Sequence, residues 1–138
     1  MDVLIVGAGG HGEVVADALW RVWERDGVTR PLGFVDDDPS LSGRKLVDIP
    51  VLGPIADLAS IAHDGVVVAI GNNRVRQRVF DELARRGEHF IVAKHPNAVV
   101  APDVRIGRGS MLCAGVIVNV GSVIGDNVIL NKIGRAHV

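Results

Sequence analysis

The 138-residue sequence has one cysteine, no long hydrophobic run and a formal net charge of only −1. Because Cys113 cannot form an internal disulfide, we expect a reducing compartment and a cytoplasmic protein. The longest aliphatic run, 66–70, has five residues, whereas a membrane-spanning helix needs about 20. The first residues lack the features of a signal peptide, and the near-neutral charge argues against binding to nucleic-acid phosphates. From these shortages we predict that the protein neither inserts into a membrane nor binds nucleic acid.

Glycine, by contrast, is abundant: 17 of the 138 residues are glycine, about 12%, whereas the usual share is about 7%. In the first half of the chain, apolar runs and helical spacing alternate. The predicted strands are 3–6, 32–35, 49–52, 65–70 and 90–93. The predicted helices are 13–25, 55–62 and 74–86, the last with Val75, Val79 and Leu83 as its apolar stripe. This alternation predicts an open, mostly parallel sheet with helices on both faces.

From about His95 onward, the helical period gives way to a repeat of six residues. Its aliphatic positions follow one another without a slip: Val100, Ile106, Leu112, Val118, Ile124 and Leu130. A six-residue period predicts a parallel β-helix, in which each aliphatic side chain points inward and stacks on the residue eighteen positions later. Glycine or asparagine would take the corners, where the backbone needs positive φ. A β-meander whose alternation skips in threes is the alternative.

A glycine-rich loop, 7–12, reads Gly-Ala-Gly-Gly-His-Gly between a predicted strand and a predicted helix. Glycines there let the backbone approach an anion closely at the N-terminus of the helix. Asp36 and Asp37 end the second strand, where a dinucleotide fold receives a ribose hydroxyl. His11 can donate a hydrogen bond to a phosphate or a sugar hydroxyl. The alternative is a tight packing turn beside a solvated acidic loop.

Gly71-Asn72-Asn73 follows the predicted strand 65–70, at the edge where open α/β sheets bind ligands. An N-cap of the next helix by Asn72 or Asn73 is an equally physical interpretation, and the two are compatible. We therefore expect the loops after the strands to form one binding edge, and we predict no metal site.

Together these motifs resemble the sugar O-acyltransferase family, which includes sialic acid O-acetyltransferases and bacterial UDP-amino-sugar N-acetyltransferases. The resemblance covers 1–131 and rests on five motifs: 7–12, Val35-Asp36-Asp37, 69–73, His95-Pro96 and the repeats through Asn131. It implies an α/β Rossmann-like nucleotide-sugar domain over 1–94, followed by the first coils of a left-handed parallel β-helix over 95–131. It also implies acetyl-CoA-dependent acetyl transfer to a sugar or a nucleotide-activated amino sugar, in a homotrimer.

Carried over residue by residue, the resemblance assigns nucleotide-sugar contacts to Gly9, Gly10, His11, Asp36, Asp37 and Gly71. In the family, a histidine in the coil after the Leu-Asn step acts as general base on the attacking amine or hydroxyl. This chain departs from the family pattern after Asn131, and 133–138 resembles a translated sequencing adapter. We therefore expect 132–138 to be a non-native tail, His137 to have no catalytic role, and the chain to be an inactive fragment without the base.

Two other functions fit part of the sequence. A nicotinamide-dependent oxidoreductase domain would use the 7–12 loop for NAD, although dehydrogenase domains do not end in a hexapeptide repeat. A non-catalytic nucleotide-sugar binding module would need the same loops and no base. The sequence specifies neither the sugar nor whether nitrogen or oxygen is acylated.

Overall fold

The structure is a computed structural model of the chain that describes residues 1–131 and 136–137. Of the predicted tail 132–138, residues 132–135 and 138 lie outside the described residues. The backbone of Ala136–His137 forms a two-residue strand that pairs antiparallel with Ile129–Leu130. The non-native origin of the tail therefore stays a prediction.

Residues 1–92 fold as a five-stranded sheet flanked by α-helices. The strands are β1 (Asp2–Val6), β2 (Arg30–Val35), β3 (Lys45–Leu46), β4 (Ile49–Gly53) and β5 (Gly65–Val68), and the helices are α1 (Gly10–Asp26) and α2 (Asn73–Arg85). The strand order is β3-β4-β2-β1-β5, parallel throughout except that β3 runs antiparallel to β4. The predicted short helix 55–62 is a 3₁₀ helix, Ile55–Ser60. The α/β class predicted from the alternation is confirmed.

The central strand β1 is buried on both faces of the sheet. Val3 and Ile5 belong to the core that packs against α1, whereas Leu4 and Val6 belong to the core that packs against α2. All four side chains are completely buried. A strand covered on both sides reads as an unbroken apolar run, as 3–6 does. Helices therefore lie on both faces, as the alternation predicted.

Helix α1 begins three residues before its predicted start. Its N-cap is Gly9, and its first turn contains the end of the glycine-rich loop. The apolar period starts only at Val15, so hydropathy could not reveal this first turn. The helix ends at Asp26, one residue beyond its predicted end, and its C-cap is Gly27, whose φ of 65° is readily adopted by glycine. No helix of the described residues combines the length and apolar character needed to cross a membrane.

The buried face of helix α2 overlaps only in part with the predicted one, since Leu83 is common to both. Arg76, Phe80 and Leu83 are at most 4% exposed, whereas Val75 and Val79 are only partly buried. Leu83 is therefore buried as predicted, whereas the rest of the buried face was missed because an arginine occupies one of its positions. The N-cap interpretation is confirmed, since Asn72 Oδ1 accepts a hydrogen bond from the Val75 N–H at 3.0 Å.

Residues 93–131, which we call the repeat region, form short strands that pair in parallel. They are β6 (Ala93–Lys94), β7 (Val99–Val100), β8 (Arg105–Ile106), β9 (Met111–Leu112), β10 (Ile117–Val118), β11 (Val123–Ile124) and β12 (Ile129–Leu130), and Ala136–His137 is β13. The three predicted pairs are present, each eighteen residues apart: Val100 with Val118, Ile106 with Ile124 and Leu112 with Leu130. Their side chains belong to one apolar cluster. The register inferred from the period is confirmed.

The corners between these strands repeat with the same period. Gly109, Gly115, Gly121 and Asn127 stand six residues apart with φ of 74°, 80°, 81° and 57°. Left-handed backbone is strained for most residues but accessible to glycine and asparagine. The expectation that these two residue types take the corners is confirmed.

The repeat region joins the sheet without a linker. The predicted strand 90–93 is not continuous: Phe90 makes one bridge to Val66, and β6 pairs instead with β9. Ala93 and Met111 are buried in the same core as residues of α1. Strands β6 and β9 of the repeat region and the sheet therefore share a hydrophobic core.

A histidine–carboxylate pair ties the loop before β5 to the loop after α2. His63 Nε2 lies 2.6 Å from Glu88 Oε1, and His63 Nδ1 lies 2.6 Å from the Ile61 carbonyl oxygen. Both partners offer acceptor oxygens, so both contacts are hydrogen bonds when both ring nitrogens carry a proton, an arrangement that favours the cationic ring. Burial, the largest influence, lowers the pKa of His63, but the Glu88 and Ile61 hydrogen bonds with the Glu88 and Asp64 charges raise it overall.

This pair predicts a pH-dependent stability. Because the folded pKa of His63 lies above the unfolded value of about 6.5, its stabilisation is complete below that pH and is lost as pH rises through the folded pKa. We expect the free energy of unfolding, measured with urea at a series of pH values, to fall as pH rises above about 6.5. We call this fall the alkaline limb of the stability curve. His63→Gln should flatten the limb, while the exposed His89→Gln should leave it in place. Equal slopes in all three proteins would contradict the assignment.

Candidate functional site

A groove of about 350 Å³ opens at the carboxyl ends of β1, β2 and β5. Its lining residues are Gly7, Gly9, Gly10, His11, Asp36, Ala69, Ile70 and Gly71. Five of the six predicted site residues are among them. Asp37 is not: it is exposed, and its Oδ1 accepts the Ile55 N–H at 2.9 Å.

The glycine-rich loop places the N-terminus of α1 against this groove. Gly7 has φ of 115°, and its N–H donates to the Val35 carbonyl oxygen at 2.9 Å. Gly12 lets the helix approach β1, because a Cβ at Gly12 would lie only 2.1 Å from the Gly7 carbonyl oxygen. Gly9 caps the helix without a side chain. The loop thus presents backbone N–H groups and the positive end of a helix dipole, which favour an anion.

Asp36 ties the end of β2 to the same loop. Its Oδ2 accepts the Ala8 N–H at 2.7 Å, and its Oδ1 accepts the Asp38 N–H at 2.8 Å. A carboxylate offers about four acceptor positions, so two remain for a ligand hydroxyl. Asp36 therefore has a structural role as well as the binding role predicted for it.

His11 and Gly71 adjoin in the lining of the groove. A Cβ at Gly71 would lie 4.0 Å from the His11 Cβ. His11 is half-buried in the first turn of α1, whereas Gly71 is exposed in the loop between β5 and α2. Two loops that are distant in sequence thus meet in the lining of the groove, and we call the part that Gly71 forms the Gly71 wall.

Sequence reasoning did not identify Arg76, whose side chain holds the loop beside Gly71. Its Nη1 donates to the carbonyl oxygens of Ile70 at 3.1 Å and Gly71 at 3.3 Å. Its Nη2 donates to Asn73 Oδ1 at 2.9 Å, and its Nε donates to the Asn127 carbonyl oxygen at 3.3 Å. Burial lowers the pKa of this guanidinium.

A second cavity, of about 310 Å³, lies farther along α1. Its lining residues are Val14, Asp17, His95, Met111, Cys113, Ala114 and Asn131. Three of these, His95, Cys113 and Asn131, stand eighteen residues apart and form one column of the repeat region. Because Val14 is one helical turn from His11, the cavity lies next to the groove.

His95 forms one wall of this second cavity in its neutral form. Its Nδ1 accepts the Asn97 N–H at 3.0 Å, so the ring proton is on Nε2, which lies 4.0 Å from Asp17 Oδ2. Burial, followed by the charge of Arg21, lowers the pKa of His95 despite Asp17. In the part of the chain that the structure describes, no cluster of His, Cys, Asp or Glu side chains is placed to hold a metal ion.

Two curated proteins are similar in sequence to most of this chain. A GDP-perosamine N-acetyltransferase of Escherichia coli O157:H7 is 33% identical over 123 residues, covering 88% of this chain and 55% of the relative. A UDP-N-acetylbacillosamine N-acetyltransferase of Bacillus subtilis (strain 168) is 30% identical over 115 residues, covering 82% and 51%. The chain therefore spans about half the length of these curated relatives.

Solved structures and a family match agree with these relatives. The acetyltransferase domain of PglB from Neisseria gonorrhoeae in complex with acetyl coenzyme A is 36% identical, with a TM-score of 0.84 over 94% of this chain and 61% of that one. PerB from Caulobacter crescentus in complex with CoA and GDP-perosamine is 33% identical, with a TM-score of 0.76 over 95% and 63%. Residues 2–83 match the family described as PglD N-terminal domain. The chain thus belongs to the PglD N-terminal domain family, within the sugar acetyltransferases.

Proposed function

We propose that the full-length protein transfers an acetyl group from acetyl-CoA to a nucleotide-activated amino sugar, and that this chain carries the nucleotide-sugar half of the site. The observation that carries the proposal is the groove at the carboxyl ends of β1, β2 and β5, where the glycine-rich loop, His11 and Asp36 meet. The relatives that are named for GDP-perosamine and UDP-N-acetylbacillosamine support this substrate class.

Each wall of the groove suits one part of such a ligand. The N-terminus of α1 would hold the diphosphate, because its N–H groups and dipole favour negative charge. The acceptor positions left on Asp36 would take a ribose hydroxyl. His11 would donate to a phosphate or sugar oxygen beside Gly71, which lines the same groove. Asp37 would contribute through the loop that it stabilises at Ile55.

The acceptor sugar would then point along α1 toward Asn131. Asn131 lines the second cavity, and the family resemblance puts the general base in the coil after this residue. That base would take the proton from the sugar amine as the amine attacks the thioester carbon of acetyl-CoA, and the CoA thiolate would leave. We propose that 95–131 are the first coils of a left-handed β-helix that supplies the acetyl-CoA groove, after a nucleotide-sugar domain over 1–94.

The outer surface of the repeat region supports assembly with further copies of the chain. Its exposed aliphatic residues are Val99, Ile117, Val120 and Val123, from 62% to 77% exposed. Val99 and Ile117 pair on neighbouring strands, and exposed apolar side chains that adjoin in this way often mark protein interfaces. We propose a homotrimer with these side chains in the contact. The cytoplasmic location inferred from the lone Cys113 stays a prediction.

Titration calorimetry of residues 1–138 tests the nucleotide-sugar site. We expect GDP-mannose or UDP-N-acetylglucosamine to bind, and NADH, the ligand of the oxidoreductase alternative, to bind more weakly or not at all. His11→Ala should weaken nucleotide-sugar binding by about tenfold, the value of one hydrogen bond to a charged group. The exposed His89→Ala, at the opposite end of the sheet, is the matched control. The assignment would be contradicted if NADH bound more tightly than the sugar nucleotides. It would also be contradicted if His11→Ala and His89→Ala bound the sugar nucleotide with equal affinity.

We also expect residues 1–138 to bind the sugar nucleotide without transferring an acetyl group. The reason is the resemblance, which places the general base after Asn131 and gives His137 no catalytic role. Release of the CoA thiol from acetyl-CoA is the measurement, and His137→Ala should leave it at background. A rate that disappears in His137→Ala would instead identify this histidine as the base and the tail as native.

A further inference from the structure

The loop that forms the Gly71 wall of the groove is connected to the repeat region through a buried side chain. The Arg76 guanidinium, 1% exposed, donates to the carbonyl oxygens of Ile70 and Gly71 on one side. On the other side its Nε donates to the carbonyl oxygen of Asn127, which is 51 residues away in sequence. One rigid group therefore spans from the groove to the second coil of the repeat region.

The Asn127 corner is held by α2 at a second point. Asn127 is 3% exposed with φ of 57°, and its Nδ2 donates to Gln77 Oε1 at 3.3 Å. Its N–H donates to the Arg108 carbonyl oxygen at 3.0 Å, within the repeat region. The corner thus has one set of contacts with its own coil and another with the helix that follows Gly71.

The geometry of guanidinium makes this connection stiff. Its N–H donors lie in one plane in a fixed fork, so acceptors on different edges have fixed relative positions. If the 70–73 loop moved away from Asn127, donors of a buried cation would lose their acceptors, which is costly away from water. The position of the Gly71 wall and the position of the Asn127 corner are therefore energetically linked.

We propose that Arg76 is a positioning residue for the groove, which it fixes relative to the Asn127 corner so that ligand binding and order at that corner depend on each other. Such linkage is reciprocal: a ligand that stabilises the Gly71 wall also stabilises the corner. The identity of the ligand rests on the proposed function, whereas the connection itself does not.

Hydrogen exchange of the ligand-free chain tests the connection. We expect Arg76→Met to speed exchange of the backbone N–H groups in 72–76 and in 126–128 by about tenfold, as expected for the loss of a hydrogen bond to a charged group. Arg76→Lys keeps the positive charge but not the forked donor geometry, and it should speed exchange in the same two segments. This variant tests the proposal even if the methionine variant fails to fold. Leu83→Ala, buried in the same helix, is the matched control and should not accelerate these two segments selectively. Equal patterns in the Arg76 and Leu83 variants would overturn the proposal.

A second arm uses GDP-mannose and UDP-N-acetylglucosamine as probes. In the wild type, the probe that binds should slow exchange in 126–128, outside the groove, and Arg76→Lys should abolish this effect and weaken affinity by about tenfold. Wild-type affinity together with an undiminished effect in the variant would overturn the proposal. If the wild type binds neither probe, the proposed function is wrong, and the ligand-free exchange alone decides the role of Arg76.

Discussion

Replacing Gly12 with alanine should destabilise the protein by roughly 3 kcal/mol and abolish nucleotide-sugar binding, although alanine normally favours a helix. The added Cβ would lie 2.1 Å from the Gly7 carbonyl oxygen and 2.9 Å from its carbonyl carbon. Both atoms are backbone, so the contact is relieved only if α1 moves away from the end of β1. That movement would open the glycine-rich loop and displace the N–H groups that face the groove.

Gly10→Ala is the matched control, because it makes the same chemical change two residues earlier in the same helix. No atom outside the helix lies within 4 Å of a Cβ at Gly10. We expect its free energy of unfolding in urea to equal that of the wild type or to exceed it by about 0.5–1 kcal/mol. If the two alanine variants have the same stability, close packing at Gly12 does not hold the loop.

Val118→Asp should be similarly severe, with a loss of about 4 kcal/mol and loss of the packing of the repeat region. Val118 is 7% exposed, pairs with Val100 and belongs to the cluster that contains Leu112. An ionised carboxylate there would have apolar neighbours and no water. Urea denaturation gives the loss, and size-exclusion chromatography shows whether the variant aggregates.

The neighbouring residue is the control for this second change. Ile117 is on the same strand but is 69% exposed, so Ile117→Asp should change the unfolding free energy of the monomer by less than about 0.5 kcal/mol. If Ile117→Asp changes only the elution volume, that supports the proposed contact between copies. Equal melting of both aspartate variants would mean that the inward and outward positions of the repeat were assigned wrongly.

Hydropathy predicted most of the fold because the buried positions are mostly apolar and regularly spaced. β1 is buried on both faces and therefore reads as an apolar run. The repeat region could be predicted in detail, since six positions with one period define which residues pair. The run 90–93 was harder, because apolar character alone does not distinguish a strand of the sheet from a chain that leaves it for the repeat region.

The candidate site was predictable where its chemistry is local in sequence. The glycine-rich loop and Asp36 are recognised from a few adjacent residues, and both line the groove. Arg76 was missed because its acceptors come from distant segments, and because counting apolar residues passes over a buried arginine. The different surroundings of Asp36 and Asp37 were equally hidden, since adjacent carboxylates look alike until the loops are placed.

The pairing of residues eighteen apart determines which changes of length the repeat region can accept during evolution. An insertion or deletion of six residues would keep the aliphatic positions inward but move every later residue to the next column, separating Asn131 from His95 and Cys113. An insertion or deletion whose length is not divisible by six would move the aliphatic side chains that follow it out of their inward positions. Only a gain or loss of eighteen residues preserves both the interior and the columns. Natural variants of this region should therefore differ in length by multiples of eighteen residues, or carry their extra residues as loops at the corners.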